Sequence, residues 1–168
     1  MIDVRNERHS LSTPLKDLRI LHVEDSETDA IIIQRAIKKS MPKCEITHIN
    51  NMKDVEGKLR EDDQFDIILL DLGLPDTSDR KESFKRVEKL RKNIPVIILT
   101  SVNDHDLALG FVGKGAENYI KKSVVCETPE TLQQAIEFAV CHYRHQKTQL
   151  AQKDQMLHWV TGGYSIGP

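Results

Sequence analysis

Five polar residues stand at the ends of apolar runs, and their types suit the chemistry of a phosphoryl group. The adjacent acids Glu24 and Asp25 end one run, and Asp71, Thr100 and Lys122 each end another. Polar groups at the C-terminal ends of strands in an open parallel sheet meet in one crevice. Three carboxylates so close would repel one another unless a cation lay among them, and Mg²⁺ prefers hard oxygen ligands. The spacing therefore predicts a magnesium-dependent phosphoryl site.

Strand-like and helix-like segments alternate along the chain and predict an α/β fold. Strands are expected at residues 18–25, 45–49, 65–70, 95–99 and 118–121. Helices are expected at 27–39 with Ser26 as N-cap, at 51–60, from the end of the 72–79 loop to about 91, from about 104 to 112, and from Thr128 onwards. This alternation implies parallel pairing with right-handed crossovers. We expect a flavodoxin-like, doubly wound five-stranded parallel sheet of order 2-1-3-4-5 with five helices, which would bring the three acids together.

Length and composition fit one domain with short tails. The 168 residues carry a net charge of -2, so no basic surface favours nucleic acid. No apolar stretch approaches the roughly 18 residues that a membrane helix needs. Three cysteines without CxxC spacing fit a reducing cytoplasm. We expect a flexible N-terminal arm at 1–17, a domain at 18–145, and a helical extension with a loose tail at 146–168.

Four segments of the chain carry a recognisable set of motifs, and they read "ILHVEDSETDA", "FDIILLDLGLPD", "VIILTS" and "GAENYIKKS". In sequence and in order they resemble the response-regulator receiver domain, the family of the chemotaxis regulator in two-component signalling. The resemblance implies a phosphoprotein switch, not an enzyme, in which Asp71 accepts a phosphoryl group from a sensor histidine kinase or histidine phosphotransfer protein. It also implies that Glu24, Asp25, Asp71 and the Gly73 carbonyl hold Mg²⁺. The output partner is not indicated.

The same resemblance assigns switch roles to three residues after the phosphoacceptor. Lys122 would contact one phosphoryl oxygen as a point charge, and the Thr100 hydroxyl would donate a hydrogen bond to another. Tyr119 would turn inward behind Thr100 and couple the local charge change to the protein surface. Lys121 is adjacent, but alternation places it on the same side of the strand as Tyr119, so Lys122 is assigned to the site.

Ser123 departs from the family, which usually has proline after the lysine. A cis bond without proline costs about 2.5–4 kcal/mol, so we expect either a trans bond with a re-routed loop or a retained, strained cis bond. Receivers without this proline resemble those fused ahead of sensor, diguanylate-cyclase or phosphodiesterase domains. Residues 146–168 are too few for such a domain, so the chain is either a stand-alone receiver or a piece of a longer protein.

Several other residues have less specific interpretations. Ile31 should be exposed on the first helix, where the resemblance places kinase docking. Phe138 points away from the inward face of the last helix, which favours a partner surface or a homodimer contact. His22 and His48 lie within strands and are expected to be packed or surface histidines.

Two alternatives and one kinetic expectation remain. A haloacid-dehalogenase-like phosphatase would need a second aspartate at position 73, where this chain has glycine. A degenerate receiver that serves only as a protein-interaction module stays open because of Ser123.

In the family, Gly73 and Val102 flank the path of the attacking water, and neither can orient it. We therefore expect slow autodephosphorylation.

Overall fold

A five-stranded parallel sheet forms the centre of the molecule. A computed structural model describes residues 15–62, 64–101 and 105–162. The strand order is β2-β1-β3-β4-β5, so the predicted α/β fold and sheet order are confirmed. The strands are β1 Arg19–Val23, β2 Glu45–Ile49, β3 Ile67–Asp71, β4 Val96–Thr100 and β5 Asn118–Lys121. Strands β3 and β4 are buried along their whole length, as expected for strands covered on both faces.

The described residues contain six α-helices, one more than predicted, and a short 3₁₀ turn at Leu15–Asp17. The helices are α1 Glu27–Ser40, α2 Met52–Glu61, α3 Arg80–Leu90, α4 His105–Val112, α5 Lys122–Glu127 and α6 Pro129–Gly162. The additional helix is α5, which follows β5 directly. It ends at Glu127, and the next residue, Thr128, has an extended φ of -138°, because the residue before a proline is disfavoured in the helical region.

Helix α6 is continuous for 34 residues and extends well past residue 145. Its inward side chains Leu132, Ile136, Ala139 and Val140 are buried, whereas Tyr143 is half-buried. The proposed division at 145 stays a prediction, and residues 1–14 and 163–168 of the expected arm and tail lie outside the described residues. Across the described part of the chain, no helix combines the length and apolar character needed to span a membrane.

Alternating side chains give the sheet two hydrophobic cores. On one face, Ile20, Ile67 and Ile97 pack with the buried sides of α1, α5 and α6. On the other face, Leu21, Ile68 and Ile98 pack with α2, α3 and α4. Three helices on each face leave the C-terminal edge of the sheet open, which is where ligands bind in doubly wound folds.

A buried ion pair ties α6 to the opposite, N-terminal edge of the sheet. Nη2 of Arg144 lies 3.0 Å from Oδ1 of Asp66, and the Asp66 side chain is only 2% exposed. The second oxygen of Asp66 accepts a hydrogen bond of 2.9 Å from the backbone N–H of Arg19. Asp66 therefore joins the start of β1 to the middle of α6.

Candidate functional site

The three predicted metal-binding carboxylates converge at the C-terminal edge of the two central strands. Glu24 and Asp25 follow β1, and Asp71 is the last residue of β3. Strands β1 and β3 pair with Val23 opposite Leu70, so Glu24 and Asp71 extend from adjacent strand ends. One carboxylate oxygen from each of the three residues lies within 4.8 Å of the others. This cluster, Glu24, Asp25 and Asp71, fits the oxygen ligands of a divalent cation.

The Lys122 ammonium lies directly among these acids. Its Nζ is 2.6 Å from Oε2 of Glu24 and 3.3 Å from Oδ1 of Asp71. It also lies 3.0 Å from Oδ2 of Asp29, in the first turn of α1. Lys122 thus reaches the site across the sheet, whereas its neighbour Lys121 pairs in register with Thr100 in β4.

Burial dominates the electrostatics of the site. It raises the pKa of Glu24 to about 7, against the hydrogen bond from Lys122, and the charge of Asp71 adds to the increase. Burial also raises the pKa of Asp71 above its usual range. Burial alone would lower the pKa of Lys122, but contact with Glu24 and Asp71 raises it above its ordinary value. Glu24 and Asp71 therefore favour a nearby positive charge when ionised, and Lys122 only partly offsets the effect of burial on their pKa values.

Thr100 lines a cavity of about 240 Å³, together with the acids and Lys122. Its side chain is buried, and among the described residues no atom forms a hydrogen bond with its hydroxyl oxygen. A buried hydroxyl without a partner costs free energy, so such groups call for an explanation. A ligand with acceptor oxygens, such as a phosphoryl group, would provide the missing partner.

Gly73 lies beside the phosphoacceptor predicted from the sequence. Its N–H donates a hydrogen bond of 3.1 Å to Oδ2 of Asp71. A Cβ atom at position 73 would lie 3.2 Å from the same oxygen, which is closer than most such contacts. A larger residue would therefore crowd Asp71.

Tyr119 lies on β5, opposite Ile98 of β4, and is not among the described residues that line the cavity of the acids. Its side chain is half-buried and packs against the core under α2, α3 and α4. Its switch role stays a prediction. Val102, which entered the dephosphorylation argument, lies outside the described residues.

The Lys122–Ser123 peptide bond is trans. The chain turns directly into α5 after Lys121, so Lys122 is the first residue of a helix. Of the two geometries expected from the missing proline, the structure has the trans bond with a re-routed chain.

Sequence reasoning did not assign four polar residues that line the cavity to the site: Ser26, Asp29, Arg80 and Ser101. Asp29 and Arg80 lie in the first turns of α1 and α3, the helices that follow β1 and β3. Helices that begin at the C-terminal edge of a sheet present their first turns to the same crevice. This rule could have identified both positions from the predicted strand ends.

The expected surface positions are exposed. Ile31 is 49% exposed on α1 and Phe138 is 63% exposed on α6. The Phe138 ring stacks on His142, with 5.7 Å between centroids. Among the strand histidines, His22 is buried, and burial lowers its pKa to about 3, so it is neutral. His48 is exposed, and its Nε2 lies 2.8 Å from the Glu24 carbonyl oxygen. This hydrogen bond helps to fix the backbone of Glu24, one of the three clustered acids.

The fold and the cluster together define a class of protein. The family model for the response regulator receiver domain matches residues 20–137. The chain belongs to the response regulator receiver domain family, the signalling module of two-component systems.

Curated relatives and solved structures agree with this assignment. The chain is 32% identical over 126 residues to the DNA-binding transcriptional regulator NtrC of Proteus hauseri, covering 74% of this chain and 25% of that protein. It is 28% identical over 123 residues to the two-component response regulator ARR2 of Arabidopsis thaliana, covering 71% of this chain and 18% of that protein. The chain therefore spans a quarter or less of the length of these relatives.

Among solved structures, a signal receiver domain of a repressor protein from Vibrio parahaemolyticus has a TM-score of 0.64 and 25% identity, covering 78% of this chain and 95% of that one. A CheY-like receiver domain protein from Methanospirillum hungatei has a TM-score of 0.65 and 22% identity, covering 77% of this chain and 98% of that one. The second similarity shows the fold alone.

Proposed function

We propose that this chain is a working phosphorylation switch in which Asp71 accepts a phosphoryl group in a Mg²⁺-dependent step. The observation that carries the proposal is the convergence of three carboxylates, one ammonium and one unpartnered hydroxyl at the open edge of the sheet. A site for protein contacts alone would have no need for so many charges at the base of a cavity. Catalysis of phosphoryl transfer depends mainly on positioning and on charge neutralisation, and these residues can supply both.

The transfer step uses Asp71 as the nucleophile. An oxygen of the Asp71 carboxylate forms a bond to phosphorus while the bond from phosphorus to the donor breaks. With a phosphohistidine donor, the bonding electron pair returns to the imidazole nitrogen of the sensor kinase or phosphotransfer protein. When bound to Glu24, Asp25 and Asp71, Mg²⁺ would neutralise negative charge on the phosphoryl oxygens.

Lys122 and Thr100 then hold the phosphoryl group. The ammonium, already 3.3 Å from Asp71, would exchange its carboxylate contacts for a phosphoryl oxygen. The buried Thr100 hydroxyl would gain the hydrogen-bond partner that it lacks. Both changes shift the end of β4 and the start of α5, and the Tyr119 ring lies on the strand between these two elements. The product is a signalling state, so we propose no catalytic turnover of a separate substrate.

Partners and location are also proposals. A histidine kinase or phosphotransfer protein would dock beside exposed Ile31, and an output partner or second copy would contact Phe138. The free thiols of Cys44, Cys126 and Cys141 agree with the reducing cytoplasm that we expect. The relatives are several times longer than the region that matches this chain, so their output activities can belong to other domains.

The test is modification of Asp71 by a small-molecule donor. The wild type and Asp71→Asn are incubated with acetyl phosphate, with Mg²⁺ or with a chelator, and the intact mass is measured. Asp106→Asn, an exposed aspartate on α4, is the matched control. We expect the mass increase in the wild type and the control only with Mg²⁺, and none in Asp71→Asn. A folded wild type that is never modified would instead support the degenerate receiver that acts as a contact module.

A further inference from the structure

We propose that Asp29 is a positioning residue for Lys122 that acts in opposite directions on the two ligands of the site. It keeps the ammonium in place when Mg²⁺ takes the other carboxylates, and it competes with the phosphoryl group for the same ammonium. This inference rests on the proposed function.

The first turn of α1 leaves the Asp29 carboxylate available for this role. Ser26 is the N-cap, and its hydroxyl accepts a hydrogen bond of 3.3 Å from the Asp29 N–H. In a full capping box, the acid at the third helical position would reach back to the N-cap N–H. Here the Ser26 N–H donates to Oε1 of Glu24 at 3.2 Å instead. The Asp29 carboxylate therefore turns towards Lys122 rather than capping its own helix.

One ammonium is shared by three carboxylates that differ in their other duties. Glu24 and Asp71 belong to the cluster that can hold a metal ion, together with Asp25. Asp29 lies 3.0 Å from the Lys122 Nζ and is the most exposed of the three lysine partners, at 39% of its side chain. When Mg²⁺ binds the cluster, two cations compete for Glu24 and Asp71. Asp29 is the partner that Lys122 can keep.

Loss of the Asp29 charge should therefore weaken the binding of Mg²⁺ and strengthen the binding of a phosphoryl group. Without Asp29, the ammonium depends on Glu24 and Asp71 alone, so it competes more strongly with Mg²⁺. Once Mg²⁺ is bound, a phosphoryl group must draw Lys122 away from Asp29. Removing Asp29 releases the ammonium for the phosphoryl group, and so that state should become more stable.

The experiment measures both ligands on the full chain with Asp29→Asn, which preserves the side-chain shape. Calorimetry gives the Kd of Mg²⁺, and fluorine NMR at saturating Mg²⁺ gives the Kd of beryllofluoride, a phosphoryl mimic. Glu27→Gln is the matched control, because it removes one exposed acid from the same helix turn. The Mg²⁺ titration is repeated for Lys122→Met with and without Asp29→Asn, which completes a double-mutant cycle.

We expect Asp29→Asn to raise the Kd of Mg²⁺ about three- to tenfold and to lower the Kd of beryllofluoride about threefold, the size typical of partly exposed ion pairs and allosteric couplings. Glu27→Gln should change neither by as much. In the Lys122→Met background, the effect on Mg²⁺ should largely disappear.

Three results would overturn the inference while leaving the proposed function intact. The first is Asp29→Asn behaving like Glu27→Gln, and the second is both ligands weakening together, as for a general structural defect. The third is an undiminished effect on Mg²⁺ in the Lys122→Met background, which would mean that Asp29 acts on the metal directly. If the folded wild type binds neither Mg²⁺ nor beryllofluoride, the proposed function and this inference both fail.

Discussion

Replacing Thr100 with valine should make the protein more stable and a poorer switch. The Thr100 side chain is buried at 2% exposure, and its hydroxyl forms no hydrogen bond with the part of the chain that the structure describes. Valine has nearly the same shape but no hydroxyl, so it removes an unsatisfied polar group without creating a cavity.

The magnitude follows from the cost of burying such a group. An unsatisfied buried donor or acceptor costs about 1–3 kcal/mol, so Thr100→Val should raise the free energy of unfolding by about 1 kcal/mol or more. For a chain of this length, 1 kcal/mol corresponds to a rise in Tm of about 2–4 °C. Thr100→Ser keeps the hydroxyl and loses a buried methyl group, so it should lower the free energy of unfolding by about 1 kcal/mol.

The assay is urea denaturation of the three proteins without Mg²⁺, followed by far-ultraviolet circular dichroism. Equal m-values would establish that the variants expose the same surface area on unfolding. The same proteins are then titrated with beryllofluoride at saturating Mg²⁺. A hydrogen bond to a charged group contributes about 1.5–3 kcal/mol, so Thr100→Val should bind at least about tenfold more weakly.

Two results would refute this reasoning. If Thr100→Val is destabilised as much as Thr100→Ser with an unchanged m-value, the hydroxyl is satisfied in solution. If Thr100→Val binds beryllofluoride as tightly as the wild type, the hydroxyl does not contact the phosphoryl group.

Three further changes test other parts of the structure. Asp66→Ala should lower the free energy of unfolding by about 3–5 kcal/mol in urea denaturation, because it removes a buried carboxylate that contacts both the Arg144 guanidinium and the Arg19 N–H; a loss below about 1 kcal/mol would mean that solvent reaches the pair. Gly115→Ala should cost about 1 kcal/mol or more in the same assay, because Gly115 has a φ of +106°; Gly57→Ala, in a helix with open space around it, is the control and should be neutral or stabilising. Ile31→Glu should slow phosphotransfer from the cognate donor at least about fivefold while leaving modification by acetyl phosphate unchanged, since a charge in an apolar contact costs at least about 1 kcal/mol; an unchanged rate with the cognate donor would remove Ile31 from the docking surface.

The sequence alone was enough to predict most of the scaffold. Buried parallel strands are continuous apolar runs, and the two that the structure buries completely, β3 and β4, were found within two residues of their ends. Ser26 was recognised as an N-cap because its side chain and the first helical turn are local in sequence. Alternation of strands and helices left few topologies, and the observed sheet order was among them.

The sequence was less informative at Ser123, where the chain lacks the proline that the family usually has. Ser123 was compatible with two backbone geometries, and the sequence did not choose between them. The structure has a trans bond and an extra helix, α5, in which Val125 is buried in the core shared with α1 and α6. Packing of a side chain against distant elements decided this segment, and such packing is not visible in a local window of sequence.

The sequence determined which residue types form the site, whereas the tertiary structure determined the electrostatic interactions between them. Glu24, Asp71 and Lys122 could be assigned to one crevice because each ends a strand. Burial in the folded protein raises the pKa of Glu24 to about 7. Folding also brings Lys122 within hydrogen-bond distance of Asp29, which is 93 residues away along the chain. Electrostatic energies vary with burial and separation in space, and a linear sequence specifies neither until the sheet and its helices have assembled.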